Sequence, residues 1–332
     1  MLKKAAKFSN SWLTSPVTRA LGALTIIFVI GLIFNANGAF FKWGTHRDML
    51  RAVSVYGILA CGMTLVIIAG GIDLSVGSIL ALTAVCFSLF TIHKGFNAFV
   101  AIIACLCIGT LCGVCSGAFI AKFRIQPFIA TLAMMVFARG VAKWISGGQK
   151  ISTAVQQADG TYKYVDVTAI FNLINSKIFS DNITVVTMIF FLCLLVSWVL
   201  LVKLRYGRYV YAIGGNEEAS RLSGVPVATT KILAYGMSGL FCAIAGICQA
   251  AQELQGDPEA GIAYELSAIA MVVIGGTNLQ GGRGSIWLTV IGVLTIGYVE
   301  KILSINAVGE DKRLMLTGAI VMSAVLLQKT RK

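Results

Sequence analysis

Apolar runs of about twenty residues recur along almost the whole chain, and no other feature limits its possible folds as strongly. A helix of roughly 20 apolar residues crosses the hydrocarbon core of a bilayer, whereas a helix on the surface of a soluble domain keeps one polar face. Only 12% of the 332 residues are charged, and the mean hydropathy is +0.84. The chain is therefore predicted to be all-α, a polytopic bundle of transmembrane helices.

About ten spans are predicted, some of them broken helices. The first apolar run, Ala20 to Phe34, lacks a small-residue cleavage site, so we expect it to stay in the mature chain as part of the first span. A single membrane domain, 18–328, is expected between an N-terminal segment, 1–17, and a tail, 329–332. The predicted spans lie near 18–36, 51–70, 74–92, 97–121, 126–145, 182–202, 231–252, 265–279, 285–303 and 313–328.

The distribution of charge predicts the orientation of the bundle. More than half of the 27 Lys and Arg residues fall on the side of the predicted spans that holds both termini, with few acidic residues among them. Cytoplasmic loops carry such an excess of basic residues, so both termini are expected in the cytoplasm. Binding to nucleic acid, the other usual meaning of a basic chain, is not expected, because no soluble basic module is present to perform it.

The nine cysteines all lie inside apolar segments, where they behave as small hydrophobic residues. Cys112 and Cys115 form a C-x-x-C pair. The only histidines, His46 and His93, are not spaced to complete a zinc site with them. No metal site is predicted.

Residues 70–78 read GGIDLSVGS and place a carboxylate and two hydroxyls, those of Asp73, Ser75 and Ser78, behind a membrane-length apolar run. Glycine lets a backbone leave helical geometry and offer its own polar groups, so a broken helix is predicted here. Two roles are open for Asp73: contact with a polar solute that crosses the bilayer, or capping of the helix that follows. The glycines expected to break the helix are Gly70, Gly71 and Gly77.

Residues 275–285 read GGTNLQGGRGS and resemble the first motif, with Asn278 where Asp73 stood. Gly275 and Gly276 are the expected second helix break. A parallel internal repeat and a glycine-rich coincidence are both open. Asn278 either lines a solute path or joins two helices by hydrogen bonds.

Arg139 is the one basic residue left inside a predicted span, on the same helix as Gln126 and Thr131. An arginine at this depth offers several donors, either to solute hydroxyls or to an intramembrane carboxylate such as Glu265. It can also extend along the helix to reach the interface. Contact with solute and structural anchoring both remain open for it.

Two polar stretches are long enough to fold outside the membrane. The first, 146–181, contains the apolar patch YVDVTAIFNLI, which is expected to form a short helix on the membrane surface or against the bundle. A lid or docking surface and a plain connecting loop are both open for it.

In the second polar stretch, 203–231, Asn216 is a favourable N-cap, two acidic residues follow it, and Gly224 is a stop signal. The helix of about seven residues that results is too short to be stable alone, so it is expected to rest on a partner surface.

The sequence of the second stretch resembles a known family. Glu218-Ala219-Ser220-x-x-x-Gly224 resembles the EAA…G loop of ABC importer permeases, and GRYVYAIGGNEEASRLSGV is similar to that loop in the ribose-type sugar permeases. The resemblance covers essentially everything after residue 45. The segments at 62–83, 125–135, 138–140 and 257–285 are similar to signatures of the same family, in the same order.

The resemblance implies the transmembrane subunit of a bacterial ABC importer for a pentose or hexose. Such a subunit lies in the inner membrane, pairs with a second permease as a homodimer or heterodimer, and receives sugar from a periplasmic binding protein. A separate cytoplasmic ATPase would drive it and use the ATP, and no cofactor is expected in this chain. The chain contains no G-x-x-x-x-G-K-[ST] loop, so it is not expected to be an enzyme.

The same resemblance assigns roles to parts of the membrane domain. The stretch 146–181 would be a periplasmic loop, and 203–231 would be the cytoplasmic coupling loop. Contact with the ATPase is expected from Asn216, Glu217, Glu218, Ala219, Ser220 and Gly224. Candidates for the substrate pathway are Asp73, Ser75, Ser78, Gln126, Thr131, Arg139 and Asn278.

Other functions remain as alternatives. An ABC permease for a nucleoside, an autoinducer or a branched-chain amino acid would share the fold and the loop. An ion-driven secondary transporter would also place charged residues within spans. It would have no need of a capped helix that faces the cytoplasm, and a purely structural membrane protein would not need glycine-broken polar spans.

Overall fold

The computed structural model describes residues 15–156 and 160–309 and parts of the tail (311–313, 315–316, 318–320 and 322). These residues form an all-α bundle, as predicted, and eight of their helices are long and apolar enough to cross a membrane. Two of these helices, α3 and α7, end in a π-helical turn, at Leu89–His93 and Val199–Lys203. The helices are α1 Pro16–Ile33, α2 Trp43–Ile68, α3 Val76–Ser88, α4 Ala98–Lys122, α5 Pro127–Ser146, α6 Ala169–Asn175, α7 Val185–Trp198, α8 Arg205–Gly215, α9 Glu217–Leu222, α10 Val227–Glu253, α11 Tyr264–Ile274 and α12 Ile286–Ile305.

Local sequence signals set where several helices begin. The side-chain oxygens of Ser15, Asn97, Thr184 and Ser285 each accept a hydrogen bond from a backbone N–H in the first turn of the helix that follows. A capped end leaves one fewer backbone donor without a partner, which matters most where water is scarce. Helix boundaries inside apolar sequence are therefore fixed by these isolated polar residues.

The two ends of the bundle carry different structures. At one end, here called the short-helix end, α8 and α9 follow α7. At the other, here called the hairpin end, two antiparallel hairpins and α6 precede α7. The first hairpin pairs β1 (Ala154–Gln156) with β2 (Tyr162–Tyr164), and the second pairs β3 (Lys177–Ile178) with β4 (Ile183–Thr184).

Helix α10 is the centre of the bundle and packs against α2, α3 and α4. It approaches α4 to backbone contact, where the backbone of Gly239 touches that of Gly109 and Gly113. Small residues let membrane helices approach to backbone contact, and the gain there is in van der Waals packing. The bundle is therefore built around one central helix with small-residue seams.

The predicted span at 265–279 is corrected by the structure. Helix α11 contains 11 residues and ends at Ile274, so it is about 16 Å long and cannot cross a bilayer core alone. The loop that precedes it, residues 254–263, descends beside α3: Gly256 lies against Ser88, and Gly261 lies against Gly77. That descent is also about 16 Å, since it follows eleven residues of α3. Loop and helix together take the place of one span.

The other predictions about elements have mixed outcomes. The short helix expected in the apolar patch of 146–181 is confirmed as α6. It packs on the bundle through Phe171, whose ring stacks on that of Phe87 at 5.1 Å. The capped helix expected in 203–231 is confirmed as α9, but it is preceded by α8, which was not predicted. The tenth predicted span, 313–328, lies largely outside the described residues.

Candidate functional site

Asp73 is fully buried in the break between α2 and α3. One of its carboxylate oxygens accepts from the Ser75 N–H at 3.0 Å and from the Ser75 hydroxyl at 2.6 Å, and the other accepts from the Ser238 hydroxyl of α10 at 2.7 Å. A buried carboxylate is costly unless hydrogen bonds replace its water, and these three donors do so. Asp73 therefore fastens the broken segment to the central helix. Ser75, not Asp73, is the N-cap residue of α3, so this tie to α10 differs from the capping expected from the sequence, and contact of Asp73 with solute stays a prediction.

The backbone carbonyl of Ile72 is held beside Asp73. The hydroxyl of Thr131 on α5 and the phenol of Tyr235 on α10 both lie 3.4 Å from it. The structure thus brings two of the candidate pathway residues, Asp73 and Thr131, to the same buried segment. Ser75 and Ser78 are buried there too, and α10 supplies the partners that sequence reasoning missed, Ser238 and Tyr235.

Four of the five glycines expected at helix breaks lie at breaks. Gly70 and Gly71 follow α2, and Gly275 and Gly276 follow α11. Gly70 and Gly276 have φ values of +82° and +106°, a region where a side chain is strained. The expectation for Gly77 is wrong, because this residue lies in the first turn of α3. Gly77 is needed for close approach instead, since a Cβ there would collide with the carbonyl oxygen of Gly261.

The contact between Gly77 and Gly261 joins the first turn of α3 to the loop just before α11. Glu265, in the first turn of α11, has a carboxylate oxygen 3.0 Å from the position that a Cβ on Gly77 would occupy. Helix N-termini carry partial positive charge, so a carboxylate is stabilised at such a meeting point. The start of α3 and the start of the half-length helix α11 thus place a carboxylate inside an apolar bundle.

Arg139 holds the loop 254–263 to α5. Its guanidinium donates to the carbonyl oxygens of Pro258 at 2.6 Å and of Ala260 at 2.7 Å. One turn further along α5, Lys143 pairs with Glu259 at 2.9 Å. These contacts support the anchoring role for Arg139, with backbone carbonyls as partners.

The remaining pathway candidates, Gln126 and Asn278, lie at the short-helix end. Gln126 is exposed at the start of α5, and its side chain makes no capping hydrogen bond. Asn278 lies in the turn after α11, where its carboxamide oxygen accepts from the N–H of Gln280 at 3.1 Å. The seven candidates therefore do not form one site.

The candidate coupling residues form a small capped helix. The side chain of Asn216 accepts from the N–H of Ala219 at 2.9 Å, and Ser220 is buried. Glu217 pairs with Lys231 of α10 at 2.5 Å, and Gly224 ends the helix with φ +80°. Glu218 makes an exposed pair with Arg221 at 3.3 Å. Leu222 is 82% exposed at the end of α9, so the residues that the structure describes leave this apolar side chain uncovered.

Helix α8, which precedes this capped helix, rests directly on both helix breaks. The N–H of Gly282, in the loop after α11, donates to the carbonyl of Ile68 at 2.9 Å. Gly214 of α8 fits against this pair so closely that a Cβ would collide with the Ile68 carbonyl oxygen and the Gly282 nitrogen. We call this contact of Ile68, Gly214 and Gly282 the glycine junction.

Tyr211 adds a second link between α8 and the loop after α11. Its hydroxyl donates to the Gly284 carbonyl at 2.9 Å, and burial raises the pKa of this phenol above its ordinary value. Because the neutral form is favoured, Tyr211 remains a hydrogen-bond donor through neutral pH.

A groove of about 480 Å³ lies between α2, α11 and α12 and was not found from the sequence. It extends from Asp48 and Lys301, toward the hairpin end, down to Tyr56 and Tyr264. The rings of these two tyrosines have centroids 4.3 Å apart. The seven pathway candidates named from the sequence are not among its lining residues.

Comparisons with known proteins agree along nearly the whole chain. The family model described as branched-chain amino acid transport system / permease component matches residues 47–326. The ribose import permease protein of Escherichia coli K12 is 38% identical over 326 residues, 98% of this chain and 97% of that protein. The fructose import permease protein of Rhizobium meliloti is 34% identical over 99% of this chain and 89% of its own length. The L-arabinose transport system permease protein of E. coli K12 is 34% identical over 94% and 90%. No solved structure matches the chain.

Proposed function

This chain belongs to the family described as branched-chain amino acid transport system / permease component, and on that premise we propose how its parts divide the work of an importer. It is a multi-pass membrane protein and the permease subunit of an ABC importer for a monosaccharide. The observation that carries this conclusion is similarity over almost the full length to permeases for ribose, fructose and L-arabinose. The family description includes branched-chain amino acids, but these three relatives import pentoses or a hexose.

Orientation follows from charge. The short-helix end carries Arg205, Arg208 and Arg221, and basic loops face the cytoplasm. We therefore place this end in the cytoplasm and the hairpin end in the periplasm, with the chain in the inner membrane of a bacterium. A periplasmic sugar-binding protein would then meet the hairpin end.

The partner ATPase would contact α8 and α9. Leu222 is the apolar anchor offered to it, and the ion pair of Glu217 with Lys231 holds α9 in place on α10. The ATPase is a separate subunit in this proposal and is the one that uses ATP. A second permease copy, identical or related, would complete the membrane part.

Movement of α8 would reach the transport path through the glycine junction. The junction touches the end of α2 and the loop after α11, and Gly77 in the first turn of α3 meets Gly261 in the loop just before α11. Rigid elements that share such contacts move as bodies, so a shift of α8 would change how α3 and α11 meet. The role of Asp73, Thr131 and Arg139 would be structural, because each holds a non-helical segment to a continuous helix.

The test is sugar uptake by the complete assembly. The assembly would be purified through a tag on this chain, reconstituted in vesicles, and supplied with radiolabelled D-ribose, L-arabinose, D-fructose and a branched-chain amino acid. We expect uptake of a sugar, and we expect this uptake to require ATP on the side of the membrane that the short-helix end faces. Uptake of the amino acid alone, or accumulation driven by an ion gradient without ATP, would contradict the proposal.

A further inference from the structure

The groove between α2, α11 and α12 is built from one face of each helix. Met49, Val53 and Tyr56 of α2 lie three and four residues apart, and so do Tyr264, Ser267 and Met271 of α11. Residues at this spacing share a helix face. From Asp48 to Tyr56 the groove is about 12 Å deep, since it follows eight residues of α2. The cavity is thus a regular feature of helix packing that enters the bundle from the hairpin end.

The floor of the groove is aromatic and carries hydroxyl groups. Tyr56 and Tyr264 are half-buried, with their rings 4.3 Å apart and tilted by 38°. Each ring combines a broad apolar face with one hydroxyl that both donates and accepts. Tyr264 is also the first residue of α11, next to the meeting point of Gly77 and Gly261. A ligand on this floor would therefore touch a helix that begins inside the bundle.

The walls mix apolar and polar groups. Val53 and Ile296 give apolar surface, Ser267 gives a hydroxyl, and Glu300 and Lys301 give a carboxylate and an ammonium group. A monosaccharide presents apolar C–H faces and a ring of hydroxyls, so it needs this mixture of surfaces. The volume of about 480 Å³ falls in the range of small-molecule sites, roughly 300 to 1,000 Å³.

We propose that this groove is the site where the chain itself contacts its sugar, with Tyr56 and Tyr264 as the floor and Ser267 and Glu300 as polar wall contacts. The proposal rests on the proposed function, because the ligand it names is the monosaccharide of the importer. It assigns solute contact to residues different from those around Asp73, which hold the broken helices in place.

The first experiment removes one hydroxyl at a time. Tyr56→Phe and Tyr264→Phe keep the ring and its packing, and Tyr298→Phe is the matched control. Tyr298 lies on α12 within the same bundle, but its hydroxyl faces His46, at 3.2 Å, away from the groove. Loss of one sugar hydrogen bond should raise the apparent KM for uptake about two- to tenfold in the first two variants. The control should keep the wild-type KM.

The second experiment asks directly whether sugar occupies the groove. Ser267→Cys would be labelled from outside with a membrane-impermeant maleimide. The unsubstituted chain, which has the exposed cysteines Cys107 and Cys115, gives the background labelling rate. The sugar that the wild-type assembly transports should slow labelling of S267C, and a sugar that it does not transport should leave the rate unchanged.

The results separate the two proposals. Unchanged KM in Tyr56→Phe and Tyr264→Phe, or labelling of S267C that is indifferent to the transported sugar, would overturn the groove as the contact site while sugar uptake by the wild-type assembly persists. Absence of uptake of every sugar by the wild-type assembly would instead overturn the proposed function.

Discussion

At the scale of single residues, the buried carboxylate of Asp73 is held by donors from two distant parts of the chain. A carboxylate behind an apolar run is visible in the sequence, and so is its neighbour Ser75. Its other donor, Ser238, is 165 residues away in the chain and has no distinguishing local pattern. The same holds for Tyr56 and Tyr264, which face each other only because α11 begins inside the bundle. Contacts between distant spans are set by packing, which one sequence does not display.

Replacement of Asp73 is expected to stop uptake through loss of structure at the helix break. In Asp73→Asn, one carboxylate oxygen becomes an NH₂ group, so one of the three donors loses its acceptor. Leaving a buried polar group without its partner costs about 1–3 kcal/mol. Uptake should fall strongly and the melting temperature of the purified protein should drop, while Ser238→Ala, which removes only one donor, should have a smaller effect on both. Full uptake by Asp73→Asn at normal membrane levels would contradict this role.

Gly77 gives a second test at the residue scale. The Cβ of Gly77→Ala would collide with the carbonyl oxygen of Gly261, so α3 and the loop just before α11 should be forced apart. Such overpacking costs about 1–3 kcal/mol. We expect lower uptake and lower thermal stability. The control is Gly140→Ala, in α5, where a Cβ meets nothing within 4 Å and uptake should be unchanged. Equal activity of the two variants would show that close approach at Gly77 is not required.

At the scale of elements, the long spans follow from hydropathy and length, because a continuous apolar helix has a direct signature in the sequence. Helix α11 does not follow from them. Its apolar sequence continues into GGTNLQGG and reads as one span, yet the chain reaches the start of α11 through the loop 254–263, which Arg139 holds by its carbonyls. Helix α8 was missed for the opposite reason, since its amphipathic sequence carries no membrane-length run. Half-length and surface helices depend on neighbours that hydropathy does not contain.

Helix α9 carries a prediction about the ATPase partner. Leu222 is 82% exposed in the chain, and its burial against a partner would contribute about 1.5–3 kcal/mol. Leu222→Asn should therefore reduce co-purification of the ATPase by about tenfold or more and lower uptake. Leu222→Met, which keeps an apolar side chain of similar volume at the same position, should retain the partner. Equal ATPase recovery from both variants would exclude Leu222 as the anchor.

For the whole molecule, the central question is how a movement at the short-helix end reaches the groove near the hairpin end. The glycine junction offers a direct route, because α8 touches the segment before α3 and the segment after α11 at once. Tyr211 adds a second link between α8 and the Gly284 carbonyl. The floor of the groove includes Tyr264, the first residue of α11. A displacement of α8 would thus be carried along α11 to the tyrosine floor without passing through the long spans.

Gly214→Ala tests this route, and the adjacent Gly215→Ala is its control. A Cβ on Gly214 would collide with the Ile68 carbonyl and the Gly282 nitrogen, whereas a Cβ on Gly215 meets nothing within 4 Å. Both substitutions place the same residue at the end of the same helix, so helix propensity and membrane insertion should be equal. Because α9 and Leu222 are unchanged, both variants should still bind the ATPase. Assemblies that contain Gly214→Ala should still hydrolyse ATP but take up much less sugar. Assemblies that contain Gly215→Ala should transport sugar as the wild type does. If Gly214→Ala kept the wild-type ratio of sugar moved to ATP hydrolysed, the coupling route would have to bypass the glycine junction.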